Sequence, residues 1–161
     1  MTVLAGYGNA DEFSARLCGF HEVPPVLADG TGTVKLELDQ KAATITYTLT
    51  YSNVPGTLSQ ASINFGKSRE TGGILVYFCG IVNPAYPPDF TGPKPQPCPS
   101  NSGTVTGMWT AANVQRIPTQ NVAAGDFDAL NSNAAYANVQ PDAPSEIRGQ
   151  LHSENREHRE Y

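Results

Sequence analysis

The chain has 161 residues, of which only 16% are charged, and it contains 15 glycines and 13 prolines. That mix is typical of short strands joined by many turns rather than of a helical bundle. The net charge of −5 argues against nucleic acid or an anionic membrane surface as a partner, and no apolar run approaches the roughly 18 residues that span a bilayer.

The first half of the chain carries the most regular strand pattern. Residues 1–12 are Gly-rich and patternless, and we expect an N-terminal arm there. Apolar and polar residues then alternate over 13–18 and 34–39, and Pro24-Pro25 marks an extended crossing between these two strands. Over 44–51 every even position is Thr and every odd position is large and apolar. A period of two over β-branched and aromatic residues predicts a strand with one face in water.

Five further strands follow along the chain. They are predicted at 61–65, 74–79, 104–109, 135–139 and 146–152, where short apolar runs are bounded by Gly, Pro, Asn or Ser.

Two short helices complete the pattern. Thr110 can cap a helical turn at 111–114, and Phe127 and Leu130 can share the inner face of a helix at 122–131. The elements together predict an all-β fold, an antiparallel Greek-key-like β-sandwich of about eight strands with one or two short helices.

This sandwich is expected to span residues 13–152, with a polar tail at 153–161. Such a tail is expected to be disordered when it is alone in water, so a neighbouring subunit is the simplest partner that could order it. The first eight residues lack the basic and apolar regions of a signal peptide. Either the gene encodes no leader or a leader has been removed.

The cysteines indicate a disulfide. Cys79 and Cys98 flank a Pro-rich segment with little apolar surface to bury, and closing a loop of this size is worth about 3 kcal/mol in the chain-entropy model. A disulfide favours an oxidising compartment. Cys18 is left over, and we interpret it as a small apolar side chain in a strand.

The same Pro-rich segment is the candidate partner-binding loop. Tyr86 and Phe90 lie in it among prolines, and such residues offer rigid apolar area at low entropic cost. The alternative, a loop that is only pinned by the disulfide, remains open.

Several stretches carry a family resemblance, above all Glu22-Val23-Pro24-Pro25 and Glu146-Ile147-Arg148-Gly149-Gln150. The others are Thr44–Tyr51, Gly103–Val114 and Ala135–Val139. Taken in chain order, these stretches resemble the chordin-type (CHRD) domain over about residues 13–152. The resemblance implies an extracytoplasmic antiparallel β-sandwich, similar in outline to copper/zinc superoxide dismutase, with no general catalytic activity.

The chain departs from that family where histidines would be. Many bacterial members carry Ala-His-Ile-His-x-Gly, but Ser62 and Asn64 occupy the two histidine positions here, and Gln140 replaces the histidine of Asn-Val-His. Metal sites need converging imidazole, thiolate or carboxylate groups. Only His21, His152 and His158 remain, and we expect neither a metal nor another cofactor. His21 and His152 can meet if the first and last strands are neighbours.

Glu22, Glu146 and Arg148 allow two interpretations. Two carboxylates at a suitable separation can perform acid/base catalysis, as in glycoside hydrolysis. Alternatively, Arg148 forms a structural ion pair with a partly buried carboxylate where the Pro-Pro crossing meets the last strand. We favour the structural interpretation, because no other catalytic constellation accompanies these residues.

The sequence therefore predicts a non-catalytic extracytoplasmic domain, secreted, periplasmic or at the cell surface. We expect it to act as a structural or interaction subunit in a homo-oligomer or a larger complex. The alternative is a copper- or zinc-binding protein with the superoxide dismutase architecture, and a carbohydrate-active enzyme is a more remote hypothesis.

Overall fold

The computed structural model describes residues 10–80, 90–142, 144 and 146–154. Residues 1–9 of the predicted arm, the Tyr86 part of the predicted loop, and His158 in the tail fall outside these residues, whereas residues 10–12 of that arm belong to the first strand. Within them the strands are β1 (Ala10–Cys18), β2 (Thr31–Asp39), β3 (Thr44–Val54), β4 (Leu58–Phe65), β5 (Ile74–Gly80), β6 (Asn101–Thr110), β7 (Ala135–Pro141), β8 (Ile147–Gln150) and the two-residue β9 (His152–Ser153).

All strand pairs are antiparallel, and their hydrogen-bonded order is β5-β4-β7-β8-β1-β2-β3-β6, with β9 beside β1. The two end strands approach each other, because Trp109 Nε1 on β6 donates to the Tyr77 carbonyl on β5 at 2.9 Å. Strand β7 lies beside β4 and not beside β6, the strand that precedes it in the chain. The predicted all-β antiparallel architecture is confirmed.

The core lies between two four-stranded halves, β5-β4-β7-β8 and β1-β2-β3-β6. Alternation in the sequence directs every second residue inward, so β2 and β3 bury their apolar positions and expose their polar ones. Tyr47 joins the halves, because its ring stacks on Trp109 with centroids 4.3 Å apart and meets the edge of Phe78 on β5. Burial raises the pKa of the Tyr47 phenol.

The helical segments are shorter than the pattern predicts. Thr110 caps a 3₁₀ turn at Ala111–Asn113 through a hydrogen bond from the Ala112 amide. The predicted helix at 122–131 is a 3₁₀ turn at Asp128–Ser132 only, because Gly125 has a positive φ of 85° and breaks the helical backbone.

The predicted disulfide is present. Cys79 and Cys98 are bonded across 19 residues of sequence, with Cα atoms 5.0 Å apart. The Gly80 amide donates to the Gln96 carbonyl at 2.7 Å, so the neck of the loop is joined twice. Cys18 carries a free, partly buried thiol at the end of β1.

The two halves also meet at a second seam, between β1 and β8. These strands pair only at Cys18 and Arg148, while β9 continues along β1 with His152 opposite Ser14. The approach is close at Gly149, because a Cβ on this residue would lie 2.0 Å from the Arg16 carbonyl oxygen. Only glycine fits at this point of the seam without a shift of the backbone.

Gly149→Ala should therefore destabilise the fold by more than about 2 kcal/mol, since overpacking against backbone cannot be relieved by a side-chain rotation. Gly32→Ala is the matched control, because the nearest atoms to its Cβ would lie 3.1 Å away and the expected loss is smaller. Urea unfolding of both variants measures the difference. Equal midpoints for the two would contradict the close approach at the seam.

Candidate functional site

A cleft of ≈1230 Å³ opens on the outer side of the β1–β8 seam. Its floor is the outward side of β1 and β2, where Ser14, Arg16, Thr33 and Lys35 line it. These residues are neighbours because Ser14 pairs with Lys35 and Arg16 pairs with Thr33. The cleft is rich in cations for so acidic a chain. It is lined by four of the ten Lys and Arg residues and by two of the fifteen Asp and Glu residues.

One wall of the cleft is the crossing, residues 19–27, between β1 and β2. It starts as a 3₁₀ turn at Gly19–His21 and continues through a cis Val23–Pro24 peptide. The Glu22 and Val26 amides both donate to the Gly19 carbonyl, at 3.1 and 2.8 Å. The crossing is thus tied to itself by backbone bonds while its apolar side chains point outward.

Arg148 lies beneath this wall and is only 2% exposed. Its guanidinium carbon lies 3.4 Å from the centroid of the Tyr136 ring, and its Nη2 donates to the Lys67 carbonyl at 3.0 Å. The His21 Nδ1 lies 3.2 Å from the Arg148 carbonyl oxygen. Burial lowers the pKa of this guanidinium, an effect opposed by Tyr136, Glu22 and Glu70. The site therefore retains a desolvated cation by surrounding it with a ring face and acceptors.

Glu22 is also buried, with 9% of its surface exposed. Its Oε2 lies 2.5 Å from the Asn138 side-chain amide, which donates to it and, at 3.1 Å, to the Ile147 carbonyl when the amide nitrogen is the atom that faces both oxygens. The pKa of Glu22 is raised to about 7, first by burial and then by repulsion from Glu146, while Arg148 opposes the rise. The three residues expected to form a structural ion pair are thus electrostatically coupled, although Arg148 directs its hydrogen bond to Lys67. The ion pair itself remains a prediction.

The histidines reach the same place. His21 and His152 both line the cleft. Among the described residues, however, no group of three or more His, Cys, Asp or Glu side chains could hold a metal ion. The positions that carry histidine in the family are used differently, since Ser62 Oγ donates to Asn64 Oδ1 at 2.7 Å and Asn64 Nδ2 donates to the Gly72 carbonyl at 3.0 Å.

Sequence reasoning missed the cross-strand partners in the β7–β8 hairpin. Asn138 pairs with Arg148, and Tyr136 pairs with Gln150. The signal was available, because a hairpin register assigned from the two apolar alternations would have set these side chains opposite each other. Gln150 also lines the cleft, and its Nε2 donates to the Gly66 carbonyl at 3.0 Å.

The other predicted site lies apart from the cleft. Phe90 is partly buried, and its ring lies 5.7 Å from the Tyr77 ring. Tyr86 is outside the described residues, so partner binding by this loop stays a prediction.

Arg148→Ala should cost about 3 kcal/mol of stability, because it removes a buried cation from its ring face and its acceptor. Arg148→Lys should recover less than half of this loss, since an ammonium cannot lie flat on a ring. Arg16→Ala, at an exposed arginine on the same cleft, is the control. Its free energy of unfolding should stay within about 0.5 kcal/mol of the wild-type value. Urea unfolding at neutral pH measures all three, and an unchanged midpoint for Arg148→Ala would disprove the role of this side chain.

Glu22 should make stability fall as pH rises. Its pKa is about 7 in the folded chain against an ordinary 4.5, so the folded protein holds the proton more tightly and this contribution is lost between those pH values. Glu22→Gln removes the titration. As pH rises across this window, the free energy of unfolding of the variant should therefore increase relative to that of the wild type by on the order of 1–2 kcal/mol. Urea unfolding at several pH values measures this difference. Asp29→Asn, at an exposed carboxylate, is the matched control, and a pH-independent difference for Glu22→Gln would refute the raised pKa.

Comparison with known proteins gives one result. The model of the CHRD domain family matches residues 13–151, whereas searches of curated proteins and of solved structures found no match. CHRD domains are typical of extracellular proteins, as is the Cys79–Cys98 disulfide. They are generally protein-interaction domains and are not a known enzyme family. No helix in the described part of the chain is long and apolar enough to cross a membrane. Because the match covers most of its length, this chain belongs to the CHRD domain family.

Proposed function

We propose that this chain is a non-catalytic extracytoplasmic β-sandwich that acts as an interaction subunit and associates with further copies of itself. The observation that carries the proposal is the exposed apolar surface of the crossing. Phe20 is 64% exposed and Leu27 is 88% exposed, and Val23 is exposed between them. Exposed apolar residues that cluster beside a polar cleft are typical of protein interaction sites.

The crossing is suited to binding because its shape is held in advance. The Gly19 carbonyl accepts two backbone hydrogen bonds, and a Cβ on Gly19 would lie 2.3 Å from the Val26 carbonyl oxygen. The backbone is therefore closely packed where it displays Phe20. A surface ordered before contact loses less entropy when a partner binds it.

The carboxylates in the cleft support a structural role. Glu22 is hydrogen-bonded to the Asn138 side-chain amide, and its pKa is raised by burial and by Glu146 and lowered by Arg148. Its polar partners come from the seam of the fold. This arrangement supports a role for Glu22 in joining the crossing to the sheet rather than in catalysis.

Phe20→Ser combined with Leu27→Ser should weaken self-association at least tenfold, because it removes the exposed apolar area without touching the core. Sedimentation equilibrium and light scattering at several concentrations measure the association. Met108→Ser is the matched control, since Met108 is an exposed apolar residue on β6, and it should associate as the wild type does. A wild-type protein that is monomeric at all concentrations tested would overturn the proposed self-association.

A further inference from the structure

Charge is segregated on the outward side of β1 and β2, beside the crossing. Towards the crossing, Arg16 and Lys35 are exposed, and Arg69 of the adjoining loop also lines the cleft. Towards the other end, Glu12 and Glu37 are exposed. The face therefore has a basic half and an acidic half, although the chain as a whole is acidic.

The register sets this arrangement. Glu12 pairs with Glu37 and Ser14 pairs with Lys35, so the acidic row and the first basic row are adjacent. Same-face residues of one strand are roughly 6.6 Å apart, and directly paired residues are about 5 Å apart. The charges thus lie on one patch, close enough together to be met by a single partner surface.

The acidic row is unfavourable in an isolated chain. Like charges directly opposite each other on neighbouring strands are destabilising, and Glu12 and Glu37 form such a pair. Lys35 is a diagonal neighbour of Glu12, but the residue directly opposite Glu12 is Glu37, and the residue opposite Glu37 on its other side is Thr46. A partner that brings cations to this row would relieve the repulsion.

We propose that a second copy of this chain covers the face in an antiparallel, twofold-symmetric arrangement. The inference rests on the proposed function and names its surface. A twofold axis crossing the strands between the Ser14–Lys35 row and the Glu12–Glu37 row sets Lys35 of each copy against Glu37 of the other. Arg16 of each copy then lies towards Glu12 and Asp39 of the other. A twofold contact requires such a self-complementary patch.

The surroundings of the patch supply the remaining contact area. The crossing borders the basic half, where Phe20 and Arg16 line the same cleft. On the other side, the outward face of β3 consists of exposed threonines at alternate positions, Thr46, Thr48 and Thr50. A stable interface covers about 800 Å² on each partner, and charge complementarity determines its register and partner choice.

Charge reversal tests the surface. Arg16→Glu with Lys35→Glu, and separately Glu12→Lys with Glu37→Lys, should each weaken self-association of the full chain at least tenfold, because each sets like charges against like. Mixing the two variants in equal amounts should restore association, as pairs of unlike copies. Arg116→Glu and Asp128→Lys, at exposed charges elsewhere, are the controls. Sedimentation equilibrium measures association, and circular dichroism verifies that each variant is folded.

The outcomes separate this inference from the proposed function. Weak association of each double variant and recovery on mixing support the twofold surface, and wild-type association should also weaken as salt is raised from about 0.05 to 0.5 M. If the wild type associates but the double variants associate equally well, this surface is refuted while self-association stands. If the variants alone are weakened and mixing restores nothing, the antiparallel pairing is refuted. A monomeric wild type refutes both.

Discussion

The burial of the Arg148 guanidinium is the constraint on which the rest of the site depends. Removing a cation from water costs several kcal/mol unless polar and ring partners compensate for it. Tyr136 of β7 supplies the ring face, and the loop after β4 supplies the Lys67 carbonyl. Glu22 of the crossing supplies a nearby carboxylate. One side chain of β8 thereby joins β7, a loop and the crossing at the seam where the two halves of the sandwich meet.

That seam explains why the cleft and the exposed crossing occur together. Strands β1 and β8 pair at Cys18 and Arg148, and residues of both strands beside this pair, Arg16 and Gln150 among them, line the cleft. Since Glu22 and His21 are held at the seam by Asn138 and by the Arg148 carbonyl, the residue between Gly19 and His21 is directed outward. Phe20 is thus exposed because Glu22 and His21 are held by hydrogen bonds at the seam.

Much of the fold could be predicted because it is encoded by local periodicity. The alternation over 44–51 specified both the strand and its buried face, and the Pro-rich segment between Cys79 and Cys98 indicated the disulfide. The helix at 122–131 was predicted from a spacing of three between Phe127 and Leu130, but Gly125 outweighed that spacing. Local pattern is a weak guide where one residue has a backbone conformation that helices exclude.

Less of the site could be predicted, because it depends on pairings between distant segments. The residues Glu22 and Arg148 were identified from sequence, and their proximity was expected. The ring of Tyr136 could have been found only by assigning the register of the β7–β8 hairpin, and the Lys67 carbonyl has no sequence signal, since it is a backbone group of a distant loop. The segregation of Arg16 and Lys35 from Glu12 and Glu37 likewise appears only when the register of β1 on β2 is known. The charges of either strand alone do not predict this segregation, because each strand carries both signs.

Amide hydrogen exchange of Arg148→Met tests most directly whether this one cation holds the crossing to the sheet. Methionine keeps apolar bulk but lacks the charge and the donors. Exchange should become at least tenfold faster at the Glu22 and Val26 amides, which donate to the Gly19 carbonyl, and along the loop at 67–70, while β3 and β6 keep their protection. Unchanged exchange in the crossing of a folded variant would contradict the account, because the crossing would then be held without Arg148.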